Sequence, residues 1–285
     1  MQMTYINSNN EQIDFSLDSE YLLIDVQGVS GLNLNIEAQK APLQDGQTYL
    51  FNTLDSRLIT LTVAFVYEDD NDKYFKRDRL LKMFNPKLGQ GVLQADFLHY
   101  TREVDCIVSG MPDFHVAPED SDTLCKVQIN LIAHDPYWRD ARQREIEMAS
   151  YSGGLSFPLL LPMNFRVKEK SKKIYNDGHV DAPVTIEFFG PAVNPTVTNE
   201  TTGEYIKVNK TLVDGDKLVI TTGFGNKAVR LIDGAGAESN AFHYVDLQST
   251  FFDLATGLNE LNFDDDNDSA GANVKIKWKN RYLGV

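Results

Sequence analysis

The densest run of metal-competent oxygens in the chain is Asp264-Asp-Asp-Asn-Asp268. Asp264, Asp266 and Asp268 occupy the first, third and fifth positions of an EF-hand calcium loop, whose carboxylates and carbonyls surround the ion. The pattern then departs, because Ser269 stands where a glycine should make the sharp turn and Lys275 where a bidentate glutamate should close the shell. The run reads as a solvated hairpin loop, with a cation site on Asp264, Asp266 and Asp268 as the competing reading.

Other chemistry is sparse. The sequence contains no Gly-x-Ser-x-Gly elbow, P-loop, His-Glu-x-x-His pair or Gly-x-Gly-x-x-Gly turn. Gly223-Phe-Gly225-Asn-Lys227 begins like a phosphate loop but lacks the remaining spacing and reads as a turn. His99, His115, His134, His179 and His243 are too scattered to give a short-range pair of metal ligands. Cys106 and Cys125 lie in apolar, strand-like stretches and are expected as buried thiols. No pair among the 41 acidic residues stands out for glycoside hydrolysis. Trp138, Trp278, Tyr244 and Tyr282 are the aromatics able to stack on a sugar ring, with Trp278 and Tyr244 as the saccharide candidates. Against them, Val274-Lys-Ile-Lys-Trp278 alternates like one face of a buried strand. The chain is expected to have no enzymatic activity and no cofactor.

The elements that would carry these residues are mostly strands. A length of 285 residues with 42% hydrophobic and 24% charged residues predicts a globular protein of two domains. No stretch nears the ~20 consecutive apolar residues of a membrane span. The N-terminus has no basic start followed by an apolar run, so neither a membrane location nor secretion is expected. The net charge of −14 argues against a nucleic-acid-binding surface spread over the whole molecule. Residues 1–140 hold 22 acidic against 11 basic side chains, so −11 of that charge belongs to the first half.

Runs of β-branched and aromatic residues bounded by Gly, Pro, Asn and Asp predict strands at 21–26, 58–67, 92–97, 102–109 and 124–133. A single amphipathic helix is expected over 72–84, capped by Asn71 or Asp72 and ended by Asn85-Pro86. The second half predicts strands at 156–161, 165–167, 184–189, 195–199, 204–208, 217–221, 227–232, 251–254, 258–263 and 273–278, a spacing that suits a sandwich or jelly roll. Asp135-Pro136 stops the last strand of the first half. Residues 139–148, which alternate basic and acidic side chains, read as a solvated connector before Ser150-Tyr-Ser-Gly-Gly154. The domains are placed at 1–144 and 145–285.

In order along the chain, these features resemble one family. Gly28-Val-Ser-Gly-Leu32 is followed by Ala41-Pro-Leu-Gln-Asp45-Gly46-Gln47 and by Leu54-Asp-Ser-Arg57-Leu-Ile-Thr-Leu61. Then come the helix with Asn85-Pro86, the strand from Val127 ending in Asp135-Pro136-Tyr137-Trp138, and the closing segments Gly257–Phe263 and Arg281–Val285. The set is similar to the distal tail proteins, or Dit, of long-tailed, non-contractile bacteriophages, and covers essentially the whole chain. Asp45, Gly46, Arg57, Asp135 and Pro136 are the family-motif positions.

The resemblance implies a mainly β protein with an N-terminal β-sandwich domain bearing one α-helix and a galectin-like, carbohydrate-module-like C-terminal β-sandwich of jelly-roll type. It implies a virion structural protein of the tail tip or baseplate, assembled in the host bacterial cytoplasm. There, a homo-hexameric ring of N-terminal domains would join the major tail tube protein to the tail-associated tip protein and support receptor-binding components. DNA would pass through the ring without specific binding. Residues 30–60 and the loop 110–122 are the candidate arms between copies. The alternative is a lectin-like protein that binds host cell-wall saccharide.

Overall fold

The computed structural model describes residues 1–115, 123–152, 167–267, 269 and 271–285. It divides into two units, Met1–Ala141 with Tyr282–Val285, and Arg142–Arg281. The first unit contains β1 (Gln2–Ile6), β2 (Gln12–Ser16), β3 (Tyr21–Gln27), β4 (Leu34–Gln39), β5 (Thr48–Leu54) and β6 (Arg57–Val66). These are followed by α1 (Asp70–Met83), β7 (Gly91–Asp96), β8 (Thr101–Val108), β9 (Asp113–His115), β10 (Leu124–Ala133) and β11 (Trp138–Asp140).

Strict alternation explains the long strands. In β6, Ile59, Leu61, Val63 and Phe65 point inward, and in β10 so do Cys125, Val127, Ile129, Leu131 and Ala133. The two pair antiparallel over ten residues, from Arg57 opposite Ala133 to Val66 opposite Leu124. A one-residue slip would turn both apolar rows outward, so the register is fixed by burial. The sheet runs β11-β8-β7-β1-β2-β3-β6-β10-β9, and β8 also pairs with β10. The expected sandwich thus takes the form of a closed circuit of strands, which leaves few unpaired edges.

Helix α1 starts two residues earlier than the sequence predicts. Asp69 is its cap, accepting from the Asp72 N–H at 2.8 Å, and Asp70 and Asp72 lie in the first turn, where the helix dipole favours negative charge. Leu80 and Met83, with Phe84 just beyond, enter the core, where Phe84 stacks on Tyr5 at 4.5 Å between ring centroids. Tyr74, an apolar residue of the helix, is exposed.

The second unit is a two-sheet sandwich. One sheet orders Val167–Glu169, Arg144–Ser152, Asn273–Trp278, Ala182–Phe189, Lys217–Thr221, Ala228–Ile232 and Glu238–Asn240. The other orders Ser171–Asn176, Gly257–Asp264, Thr196–Asn199 and Glu204–Lys207. Ile186, Phe188, Ile220 and Ile276 from the first meet Val197, Ile206, Leu261 and Phe263 from the second in one core.

Residues 139–148 do not form the expected solvated connector. Arg144–Ser152 is a strand paired with Asn273–Trp278, and Met148 is fully buried. The charges that read as a linker are that strand's outer face, where Glu145 and Glu147 lie opposite Lys277 and Lys275. Tyr282–Val285, assigned by sequence to the second domain, pack with the first unit. The expected strand at 156–161, most of that at 165–167 and most of the 110–122 loop lie outside the described residues.

Candidate assembly surface

Strands β4 and β5 form a hairpin of their own, paired only with each other among the described residues. The register places Leu34 opposite Leu54, Ile36 opposite Asn52 and Ala38 opposite Tyr49, with a bulge after Glu37. Because side chains alternate, Leu34, Ile36, Ala38, Tyr49 and Leu54 share one face. Leu34, Ile36, Tyr49, Leu50 and Phe51 are all exposed. Turn residues Leu43 (φ 64°) and Gly46 (φ 77°) reverse the chain, and the Gln44 side chain accepts from the Ala41 N–H at 2.9 Å. The family-motif pair Asp45-Gly46 is therefore the hairpin tip, exposed and remote from the other motif positions.

Arg57 sits at the hairpin's root with 1% of its surface exposed. Its Nε donates to the Pro136 carbonyl at 2.8 Å. Nη1 donates to the carbonyls of Gly28 at 2.6 Å and Val29 at 3.0 Å, and Nη2 to that of Leu283 at 2.6 Å. The fork thus gathers the turn before the hairpin, the end of β10 and the chain's last residues. Trp138, fully buried, lies 6.0 Å from the guanidinium and donates to the Val29 carbonyl at 3.0 Å. Burial pulls the Arg57 guanidinium down to about 10, still far above neutrality, so the group remains charged. A planar five-donor group suits such a carbonyl cage where a lysine would not.

The same corner holds the segment 282–285. Arg102 lies 3.6 Å from the Tyr282 ring and 4.5 Å from the Tyr100 ring and donates to the Gly284 carbonyl. Ser30 donates to the Val285 carbonyl at 2.9 Å. On β11, Arg139 donates to Asp105 at 2.6 Å and to Glu103 at 2.9 Å. Burial alone would lower its pKa, but these two carboxylates outweigh that and raise it.

The structure thus joins Arg57 to Pro136, next to Asp135, whose carboxylate accepts from the Tyr137 N–H at 3.4 Å. Sequence reasoning missed Arg102, Leu283 and the role of Trp138, because carbonyl partners leave no side-chain signature. The saccharide candidate Trp278 is corrected: it is buried and donates to the Asn280 side chain at 3.1 Å, so it offers no face to a sugar. Trp138 and Tyr282 are likewise buried, and Tyr244 is half-buried between His243 at 3.9 Å and Lys210 at 4.9 Å. In the acidic run, Asp264 pairs with Lys170, while Asp266 accepts from Asn194 at 2.8 Å and Lys207 at 3.2 Å. Asp268 lies outside the described residues. No three His, Cys, Asp or Glu side chains among the described residues converge on a metal position.

Both cysteines are buried and free. Burial, followed by the charge of Asp105, pushes the Cys106 thiol up to about 12. No helix among the described residues is long and apolar enough to cross a membrane.

Comparisons with known proteins place this arrangement. Residues 8–187 match the phage tail protein RIFT-related domain, and residues 177–282 the C-terminal domain of the siphovirus-type tail component. No curated protein matches the chain significantly in sequence. The fold is similar to the crystal structure of SPP1 Dit, described as a paradigm of hub adsorption apparatus in phages infecting Gram-positive hosts. That likeness has a TM-score of 0.69 and 12% identity, covering 98% of each chain. It is also similar to the phage P2 baseplate in its activated conformation with calcium, at TM-score 0.53 and 11% identity over 97% of this chain and 98% of that one. With both its domains matched in order, the chain belongs to the siphovirus-type phage tail proteins, the distal tail protein family.

Proposed function

We propose that this protein is the hub of a phage tail tip. In this reading six copies close a ring that joins the tail tube protein to the tail-associated tip protein and supports receptor-binding components. The chain is a tail component by family, and the solved relatives named above are a hub protein and a baseplate. The observation that carries the ring is the β4–β5 hairpin. A lone two-stranded hairpin is only marginally stable in water, and this one exposes an apolar row of Leu34, Ile36 and Tyr49. A closed heterologous ring needs such a patch on each copy, to be covered by a different surface of the next. Six copies weigh about 193 kDa, six times 32.1 kDa.

The charge fits the same reading. The first half carries −11, and a negative lumen wall repels phosphates where a basic one would retain DNA by counterion release. Assembly would take place in the host bacterial cytoplasm and the product would reside at the virion tail tip. Light scattering on the size-fractionated full chain tests the ring. A species near 193 kDa that falls to monomer on Leu34→Asp with Ile36→Asp, with the melting temperature retained, supports the proposal. A strict monomer at high concentration overturns it.

A further inference from the structure

Helix α1 turns one stripe of side chains outward. Asn71, Tyr74, Phe75, Asp78, Arg79 and Lys82 recur at helical spacing and are all exposed, while Leu80 and Met83 enter the core. A stripe that met only water would be polar throughout. Here two adjacent members are large aromatics, Tyr74 at 65% and Phe75 at 68% exposure. Phe75 also lines a groove of about 310 Å³ with Glu11, Gln12, Arg79 and Met83, which runs between the helix and the start of β2. An exposed aromatic pair beside such a groove marks a surface that another chain covers.

Charge narrows what that chain is. Residues 70–83 hold five basic and three acidic side chains, against six and nineteen in the rest of residues 1–140. A second copy of the same unit therefore approaches the helix with the opposite net charge, which favours association. The β4–β5 hairpin shares that sign, with Glu37 and Asp45 against Lys40. It also supplies the apolar row that lacks a cover: Leu34, Ile36 and Tyr49 are exposed, as are Tyr74 and Phe75, so the two rows do not cover each other within one copy. Their lengths agree, since the fourteen residues of α1 span about 21 Å and the seven of β5 about 23 Å.

We infer that the outward stripe of α1 receives the β4–β5 hairpin of a second copy, with Leu34, Ile36 and Tyr49 of the hairpin against Tyr74 and Phe75 of the helix. The inference rests on the ring proposed above and names the second of the two surfaces that a ring needs. Hairpin and helix are different surfaces of one chain, so each copy uses its hairpin on one neighbour and its helix on the other, and the contact repeats until the ring closes. Pairing of hairpin with hairpin would instead stop at a two-fold dimer. Burial of the two aromatics supplies the centre of the contact, and the ion pairs of Arg79 with Glu20 and Lys82 with Asp78, both at 2.6 Å, lie on the same stripe as its polar margin.

Two measurements on the full chain test it. In light scattering, Tyr74→Asp with Phe75→Asp should lose the six-copy species and leave a monomer of 32.1 kDa, with the melting temperature retained because both side chains lie at the surface. A ring that persists in this variant overturns the inference while the ring itself stands; a parent chain that is strictly monomeric overturns both. The second measurement is cross-linking with a flexible bismaleimide. Ala38→Cys, on the apolar face of the hairpin, combined with Asp78→Cys, midway along the stripe, should give a ladder of covalent species up to six copies on a denaturing gel. Neither single variant should give one, and the native Cys106 and Cys125 are buried. Absence of the ladder from the double variant overturns the inference, as does a dimer formed by Ala38→Cys alone, the mark of hairpin on hairpin.

Discussion

Replacing Arg57 by methionine removes the guanidinium while keeping much of the side-chain volume. Five carbonyls lose a donor: Gly28, Val29, Gly31, Pro136 and Leu283. Val29 keeps the Trp138 indole at 3.0 Å and the Val285 amide at 3.3 Å, and Gly31 is exposed to water, so Gly28, Pro136 and Leu283 are the three that lose most. At about 1–3 kcal/mol for each orphaned buried acceptor, the gross loss is about 3–9 kcal/mol. Against this stands the desolvation cost of a buried cation, several kcal/mol, which the methionine no longer bears. The net expectation is a loss of about 1–5 kcal/mol, or roughly 3–15 °C in the melting of the first unit. Arg57→Lys should recover less than half, because one ammonium cannot reach Pro136 and Leu283 from opposite sides of a planar fork. Calorimetry measures the melting, and hydrogen exchange reports where protection is lost. Amides of residues 28–33 and 282–285 should exchange faster while those of 257–262 keep their protection. A fall of less than about 3 °C for Arg57→Met, or exchange that rises equally in both places, refutes the reasoning.

Three further outcomes follow from the geometry. Glu187 is held by Lys277 at 2.9 Å and Lys217 at 3.0 Å; burial raises its pKa, but the two lysines outweigh that and leave it below the ordinary 4.5. Its stabilisation is therefore present above that value and lost as pH falls through the lower, folded one. Glu187→Gln should cost about 1–3 kcal/mol at pH 7, with the gap to the parent closing below pH 4.5 in denaturant titrations; a pH-independent gap contradicts this. Gly28 has φ +82°, and an added Cβ would lie 1.9 Å from the Leu58 carbonyl oxygen. Gly28→Ala should destabilise the first unit by more than about 2 kcal/mol, and an unchanged denaturation midpoint would count against the structure of that turn. Neither Cys106 nor Cys125 should react with a thiol reagent in the native protein, while both should on unfolding; native labelling of either contradicts their burial.

Legibility in the sequence tracked burial. The strand at 124–133 was predicted to the residue because five alternate side chains face the core, and Asn273–Trp278 for the same reason. Residues 139–148 read as a connector, hiding the start of the strand Arg144–Ser152, because that strand's outer face is charged and only Ile146 and Met148 mark the inner one. The hairpin β4–β5 went unread as strands since its apolar row faces solvent, although its segment stood out as an arm. Arg57 entered only through family resemblance, as its partners are main-chain atoms spread from residue 28 to residue 283.

The carbonyl cage around Arg57 has a consequence for the order of synthesis. Residues 142–281 form the second unit, so Leu283 leaves the ribosome only after 140 more residues have been translated than the first unit otherwise needs. At ~5–20 residues per second, the nascent first unit waits roughly 7–28 s with its arginine one acceptor short. During that interval the turn at 28–31, from which the hairpin springs, lacks the contacts of Ser30 and Val29 with Val285. A chain stalled at Arg281 should stay sensitive to limited digestion within residues 28–33, and extension through Val285 should close that site. The bond at the hairpin's root is thereby tied to the progress of translation: the turn at 28–31 gains its full set of contacts only once the second unit has been made.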